Sequence, residues 1–283
     1  MRSLLMTSYN RTVGGQMARN DITWDKFRDH VRSEWVIQRL EQPLVRRIFR
    51  GQSNPDWLVQ SLAERQPRHQ PLSRQDYVSL RSKYLEPFKQ RALPYLGIEG
   101  RLMQIQAQLL GADAVDKEWW ALGRHYGLIT PLLDWTRSPY VAAFFAYTAA
   151  GFPPPKKVTV WALDIFKGDL WKENEFELVD HASAINARQR AQQGVFTLKT
   201  DADTYDLETY LKNRGLSKRL ERFDLPWSHL GQALHDLTQM NITHGSLFPD
   251  LSGAASDANV SGLYDVIIRV PEIPPGTPRV FSR

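Results

Sequence analysis

Trp24, Phe27, Val31 and Trp35 recur at spacings of three and four residues, the stripe that one helix face buries. Thr23 or Asp21 stands where the first turn needs a cap. Residues 1–20 carry no such period and read as an N-terminal arm. A second stripe, Tyr77, Leu80, Tyr84, Leu85 and Phe88, follows a Ser73–Asp76 capping box. Further helices are predicted over 101–110 and from a cap at Asp116 to about Tyr126, where Gly127 stops the chain. Residues 44–51 and 158–163 read as strands, and 128–135 as a buried strand or extended segment. Between the last two, Ser138-Pro139 opens a helix over 140–150 that is apolar on every side and so belongs inside. Residues 53–57 form a turn through Asn-Pro-Asp, residues 66–73 a loop, and Pro153-Pro154-Pro155 a break.

Beyond that break the pattern predicts a helix over 185–193 ended by Gly194, a short strand at 195–197 and a helix over 206–212. A strand over 220–225, a helix capped by Ser228 and ending near Met240, and a last strand over 263–270 complete it. No repeat, low-complexity tract or long linker interrupts the order. One α+β domain over 21–270 is expected, between the arm at 1–20 and a tail at 271–283. Its centre is expected to be a mixed or antiparallel sheet with flanking helices.

Composition narrows the chemistry. The 283 residues hold no cysteine, which excludes disulfides, thiolate metal sites and a cysteine nucleophile. No apolar run reaches the roughly 20 residues of a membrane span, and Met1 to Met6 is too short for a secretory signal. A cytoplasmic protein without a membrane partner is expected. The formal charge of +5 is a weak field that permits an anionic partner without requiring one. Phosphate loops, Gly-x-Gly-x-x-Gly, His-Glu-x-x-His and the nucleophile elbow are all absent. The seven histidines show no metal spacing, so no metal is expected.

Three clusters carry chemistry. In Phe49-Arg50-Gly51-Gln52, an arginine at a strand end beside a glycine can meet a phosphate or carboxylate, with the glycine admitting the ligand. It can equally form a structural ion pair with Asp134 or Asp56. In the second cluster, His125 can act as an acid, a base or a hydrogen-bond donor, and Tyr126 can stack on a planar ring. Asp134, followed by Trp135, can hold a ribose hydroxyl, orient Arg50, or cap the next helix. The third cluster, Leu247-Phe248-Pro249-Asp250-Leu251, reads as a turn acid among apolar neighbours. His244 and Ser246 nearby have no assignable partner. The paired amides Gln192-Gln193 before Gly194 suit polar recognition or a solvated helix end.

These pieces, in this order, resemble the FRG domain family, named for its Phe-Arg-Gly motif. The matching residues are Phe49-Arg50-Gly51-Gln52 with Trp57 and Ser61-Leu62, then His125-Tyr126-Gly127 and Leu133-Asp134-Trp135-Thr136. Ser138-Pro139, Ala142, Phe145-Ala146, Gln192-Gln193-Gly194, Phe196-Thr197 and Leu247 to Leu251 with Gly253 continue the likeness, over about residues 22–255. Where the family pattern often carries Pro-Thr-Arg, this chain has Ile129-Thr130-Pro131 and lacks the arginine. The resemblance implies a bacterial or phage-associated protein in a defence or toxin setting.

An analogy extends it. ADP-ribosyltransferases often place Arg-Gly at the end of a core strand, with a later strand leading into a buried aromatic-alanine helix. Phe49-Arg50-Gly51 and Trp135 to Ala146 fit that plan. The expected protein uses NAD as substrate, cleaving its glycosidic bond or transferring ADP-ribose to a protein or nucleic-acid acceptor. Arg50, His125 and Asp134 are its expected catalytic residues. Gly51, Gln52, Tyr126, Trp135 and Gln193 are expected to bind the nucleotide ligand. No convincing glutamate accompanies them. The alternative is a non-catalytic module for nucleic acid or protein, with Lys212, Arg214, Lys218, Arg219 and Arg222 as its basic face.

Overall fold

The computed structural model describes residues 19–41, 47–66, 73–110, 112–149, 153–165, 176–180, 187–200 and 204–269. Most of the arm, the loop centred on 67–72 and the tail lie outside them. The described residues form an α+β structure around a seven-stranded mixed sheet. The chain begins with β1 (Arg19–Asp21) and α1 (Trp24–Glu41), then β2 (Arg47–Gln52). Next come α2 (Arg74–Leu80), a π-helical turn Arg81–Leu85, α3 (Glu86–Leu110) and α4 (Ala112–His125). Then follow β3 (Leu132–Thr136), α5 (Pro139–Thr148), β4 (Lys157–Asp164) and β5 (Phe176–Val179). The last part holds α6 (Ala187–Ala191), β6 (Gly194–Lys199), α7 (Leu207–Asn213), β7 (Leu220–Pro226), α8 (Leu230–Gln239), α9 (His244–Leu247) and α10 (Leu251–Arg269).

The strand order is β1-β7-β4-β2-β3-β6-β5. β1 runs parallel to β7, and the other neighbours are antiparallel. Apolar side chains above and below the strands make the core. Trp24, Phe27 and the whole of α5 pack with α8 on Val158, Val160, Phe223 and Leu225. Ile48, Trp161 and Leu163 pack on the other face with α7. Trp119 and Trp120 of α4 meet Leu132 and Phe196 in a third cluster. Fully burying a side chain of Val or Phe size stabilises by about 1.5–3 kcal/mol, so α5 is anchored through Val141, Phe144 and their buried neighbours. Among the described residues, no helix is long and apolar enough to cross a membrane.

Local signals explain most elements. Thr23 accepts from the Lys26 amide at 3.3 Å and starts α1. Ser73 and Asp76 exchange side chain–backbone bonds of 2.8 and 3.2 Å, closing the capping box. Ser138 caps α5 by accepting from the Val141 amide, with Pro139 in its first turn. Gly127, at φ 85°, turns the chain after α4.

Five expectations are corrected. Residues 263–269 continue helix α10 and are not a strand. The helix starts where Asp250 accepts from the Ser252 and Gly253 amides, and a short apolar run simply extends it. Asp116 lies inside α4 and is paired with Arg81, Nε to Oδ2 2.7 Å, and with Lys89, so it is not a cap. Ser228 sits in a 3₁₀ turn, Trp227–His229, and gives α8 no side-chain cap. Gly194 opens β6 instead of stopping a helix; the chain turns at Gln193, which has φ 50°. The end of the supposed arm, residues 19–20, belongs to β1.

Candidate functional site

β2 is bound to β4 over its whole length, from Arg47↔Asp164 to Gln52↔Thr159. Its other side is registered with β3 at the single pair Phe49↔Thr136. A cleft of about 350 Å³ lies beside these two strands, at the small end of ligand sites. Arg50 to Ser53 and Asp134 to Thr136 line it from the strands. Arg124 and His125 enter from the last turn of α4, Phe145 and Ala149 from α5, and Arg188 from α6. Trp57, Arg65, Gln192 and Phe248 complete the wall.

Arg50 is 11% exposed. Its Nη1 donates to the Asp134 carbonyl at 2.8 Å and lies 3.6 Å from Asp134 Oδ2. The side chain therefore bridges the two strands where backbone pairing stops. Its Nε is buried without a hydrogen-bond partner. Burial lowers its pKa to about 10 against the pull of Asp134, which leaves it charged at neutral pH. Asp134 Oδ2 accepts from Arg124 Nε at 2.9 Å and Nη2 at 2.6 Å. Burial pushes the Asp134 pKa up, but Arg124 and Arg50 outweigh it and the carboxylate stays ionised.

His125 is pushed by burial down to a pKa of about 4, so its imidazole is neutral at pH 7. Its Nε2 is buried and bonded to nothing. Arg188 Nε donates to Asp250 Oδ2 at 2.7 Å and Nη2 to Ser252 Oγ at 3.3 Å. Its guanidinium lies 5.7 and 5.6 Å from the rings of Tyr126 and Phe248. Arg65 forms no salt bridge with a carboxylate among the described residues; burial and the nearby Arg124 charge lower its pKa against the pull of Asp134 and Glu64. The cleft thus holds four arginines, with Asp134 as the sole carboxylate among its described lining residues and Asp250 engaged on Arg188. Two positive charges are left over.

Of the residues singled out from sequence, Arg50, His125, Asp134, Gly51, Gln52 and Trp135 meet on this lining. Tyr126 and Gln193 do not. Tyr126 lies in the turn after α4, 68% exposed, with Arg188 over its ring. Gln193 carries the positive φ of the turn before β6, and its carbonyl accepts from the Arg137 amide at 3.1 Å. Its neighbour Gln192 lines the cleft instead, its amide held by the Leu247 carbonyl at 3.1 Å.

Several residues expected to contact a ligand also hold the structure together. A Cβ on Gly51 would overlap the Ala142 carbonyl oxygen and lie 2.7 Å from the Ala146 amide. The missing side chain is what admits helix α5. Gln52 accepts from the Trp161 indole at 2.6 Å and donates to the Leu58 carbonyl at 3.2 Å, so both ends are occupied. It fixes the turn that presents the half-exposed Trp57. The Trp135 indole donates to Thr197 Oγ1 at 2.8 Å. Asp134 does not cap α5, because Ser138 does.

Sequence reasoning missed Arg65, Arg124, Arg188, Trp57, Phe145 and Phe248 as cleft residues. Arg124 directly precedes His125 in Gly123-Arg124-His125-Tyr126-Gly127 and is legible there as a cation. Arg65 follows the Ser61-Leu62 match by three residues, but in an irregular segment where no spacing shows which way the side chain turns. Outside the cleft, Ser246 forms a capping box with Thr243, and His244 packs 4.8 Å from the Phe144 ring. The basic stretch is partly consumed internally. Arg222 binds Asp224 at 2.8 Å, Arg219 lies 3.5 Å from Asp164, and Arg214 stacks 3.9 Å above Tyr210.

Residues 45–151 match the family model of the FRG domain. The amides at 192–193 and the segment 247–253 lie outside that match. No curated protein and no solved structure matches the chain.

Proposed function

We propose that this chain, which carries an FRG domain, binds a nucleotide in the cleft beside β2 and β3. The nucleotide is NAD, whose glycosidic bond the protein cleaves or whose ADP-ribose it transfers. One observation carries the reading: four arginines converge on a cleft with aromatic walls, and two of their charges are left without a carboxylate. Guanidinium groups in such surplus suit phosphate oxygens, and Trp57, Phe145 and Phe248 suit planar rings.

Glycosidic cleavage develops positive charge on the sugar. Asp134, kept ionised by Arg124 and Arg50, supplies the opposing charge. This assigns to an aspartate the task that transferases of the analogous plan give to a glutamate. His125 positions the nicotinamide or its ribose by a hydrogen bond. With a pKa of about 4 it is not the proton donor at pH 7. The order β2, β3, α5 supports the ADP-ribosyltransferase-like plan. An Arg-Gly strand end is followed by a strand that feeds a buried aromatic-alanine helix. Such chemistry fits a cytoplasmic defence or toxin protein with a protein or nucleic-acid acceptor.

The test is incubation of the purified chain with NAD, with free nicotinamide followed by chromatography. Wild type is expected to release nicotinamide, and Asp134→Asn to lose that activity while its circular dichroism is kept. Absence of release from wild type, with and without candidate acceptors, overturns the NAD reading.

A further inference from the structure

We propose that Arg65 is the arginine that grips the ligand, and that the group it grips is a diphosphate. The inference rests on the reading of the cleft as a nucleotide site. Of the four arginines on the lining, three are already engaged. Arg50 spends Nη1 on the Asp134 carbonyl, Arg124 turns two N–H groups onto Asp134 Oδ2, and Arg188 is held by Asp250 and Ser252. Arg65 lines the same cleft with no salt bridge to a carboxylate among the described residues.

Its backbone is firmly placed. The Ser61 amide donates to Glu64 Oε2 at 2.7 Å, and the Glu64 amide returns to Ser61 Oγ at 3.3 Å. The Arg65 amide donates to the Ser61 carbonyl at 3.2 Å, and Ala63, fully buried, donates to Thr130 at 3.1 Å. A side chain rooted in a fixed turn, placed near another cation and in salt-bridge contact with no described carboxylate, is preorganised for an anion. Arg65 and Arg124 repel each other until that anion arrives.

The size of the anion follows from charge. Four arginines against Asp134 and Asp250 leave a surplus of two, and the neutral His125 adds none. A diphosphate diester carries two negative charges, and a phosphate monoester comes close to that at pH 7; the diester is preferred because Arg65 and Arg124 offer two separate cations on one cleft. A triphosphate would overfill the site. Arg65 with Arg124 gives neighbouring phosphates one cation each, and the aromatic residues on the lining receive the flanking nucleosides. The motif arginine, Arg50, is in this account a brace between strands.

The experiment uses ADP-ribose, which has no nicotinamide bond to cleave, with AMP and ATP as comparators. Binding is read by calorimetry, and Tm is measured without ligand, for wild type, Arg65→Gln and Arg65→Lys. Wild type is expected to bind ADP-ribose more tightly than AMP or ATP. Arg65→Gln is expected to weaken ADP-ribose by about tenfold or more, the loss of one charge-assisted contact. Its unliganded Tm is expected to stay level or rise, because burial and the Arg124 charge outweigh the pull of Asp134 and Glu64 on the guanidinium. Arg65→Lys should recover part of the affinity. Unchanged ADP-ribose binding in Arg65→Gln, or a large fall in its unliganded Tm, overturns the role of Arg65. AMP or ATP binding as well as ADP-ribose overturns the diphosphate assignment. If wild type binds none of the three, the nucleotide reading itself fails and this inference with it. The two failures appear in different proteins and are told apart.

Discussion

β2 meets α5 and β3 in opposite ways, through consecutive residues. Against α5, Gly51 brings backbone onto backbone, so close that no Cβ fits beside Ala142 and Ala146. Against β3, the ladder holds at one pair, and beyond it Arg50 bridges to Asp134 with its side chain. The first contact is dry, filled by Val141, Ala142 and Phe144. The second gathers charges, leaves Arg50 Nε and His125 Nε2 unbonded, and opens a cleft. A tight seam tolerates nothing between its partners. A seam bridged by long polar side chains leaves room for a ligand, and the unspent hydrogen-bonding capacity collects there. The Phe-Arg-Gly segment thus carries part of the architecture as well as lining the cleft. Phe49 packs on the α5 core, Gly51 lets α5 approach, and Arg50 spans the gap.

The largest effect should come from breaking the dry seam. Gly51→Ala must push α5 off β2, and overpacking of this kind costs about 3 kcal/mol or occasionally more. Chemical denaturation should show a lower midpoint with an unchanged slope. A Gly51→Ala protein as stable as wild type would refute the close approach. Arg50→Ala should come next. It leaves the Asp134 carbonyl without its side-chain donor and removes one of two cations from the carboxylate. Arg124 still covers Asp134, which is about a third exposed, so the loss is discounted to about 2 kcal/mol. Arg50→Lys should restore only part of it, since an ammonium lacks the planar fork. A neutral Arg50→Ala would mean that the bridge between β2 and β3 is incidental.

How well each seam could be read from sequence follows from the same contrast. The α5 side rests on local rules: a serine cap, a proline in the first turn and ten residues with almost no polar side chain. Such rules act within a few residues, so the helix and its burial were legible. The Ser73–Asp76 box was legible for the same reason. The cleft is assembled from stretches around residues 50, 65, 124, 134, 188 and 248, and no periodicity links them. The motifs brought Arg50, His125 and Asp134 forward, because their residue types are reactive. They could not tell that Gln52 and Trp135 spend their polar atoms inside the protein. A shift of one residue separated Gln193 from the Gln192 that reaches the cleft, since only the turn at φ 50° decides which amide points inward. The α10 error has the same origin. A run of apolar residues fits either a strand or a helix, and the cap at Asp250 decided for the helix.

The smallest predicted effect is also the most selective, because pH can address the polar seam and leave the dry one untouched. His125 is buried beside Arg124 and Arg188, with Asp134 only partly offsetting the desolvation. Its pKa is lowered from 6.5 to about 4 in the folded chain. Between those values the unfolded chain binds the proton and the folded chain does not. Stability therefore falls as pH drops from about 6.5 to about 4, and this contribution is flat above and below that window. Discounted for the solvent that reaches the partly exposed ring, the shift corresponds to about 1 kcal/mol. Asp134 acts separately. Its lowered pKa adds stability that is present above the ordinary carboxylate range and lost only in stronger acid. His125→Gln removes the titrating group, so its Tm should decline less than wild type between pH 6.5 and 4, while the two curves stay parallel above pH 7. Identical slopes for both proteins would show that His125 is solvated, and the neutral imidazole assigned to the cleft would have to be given up.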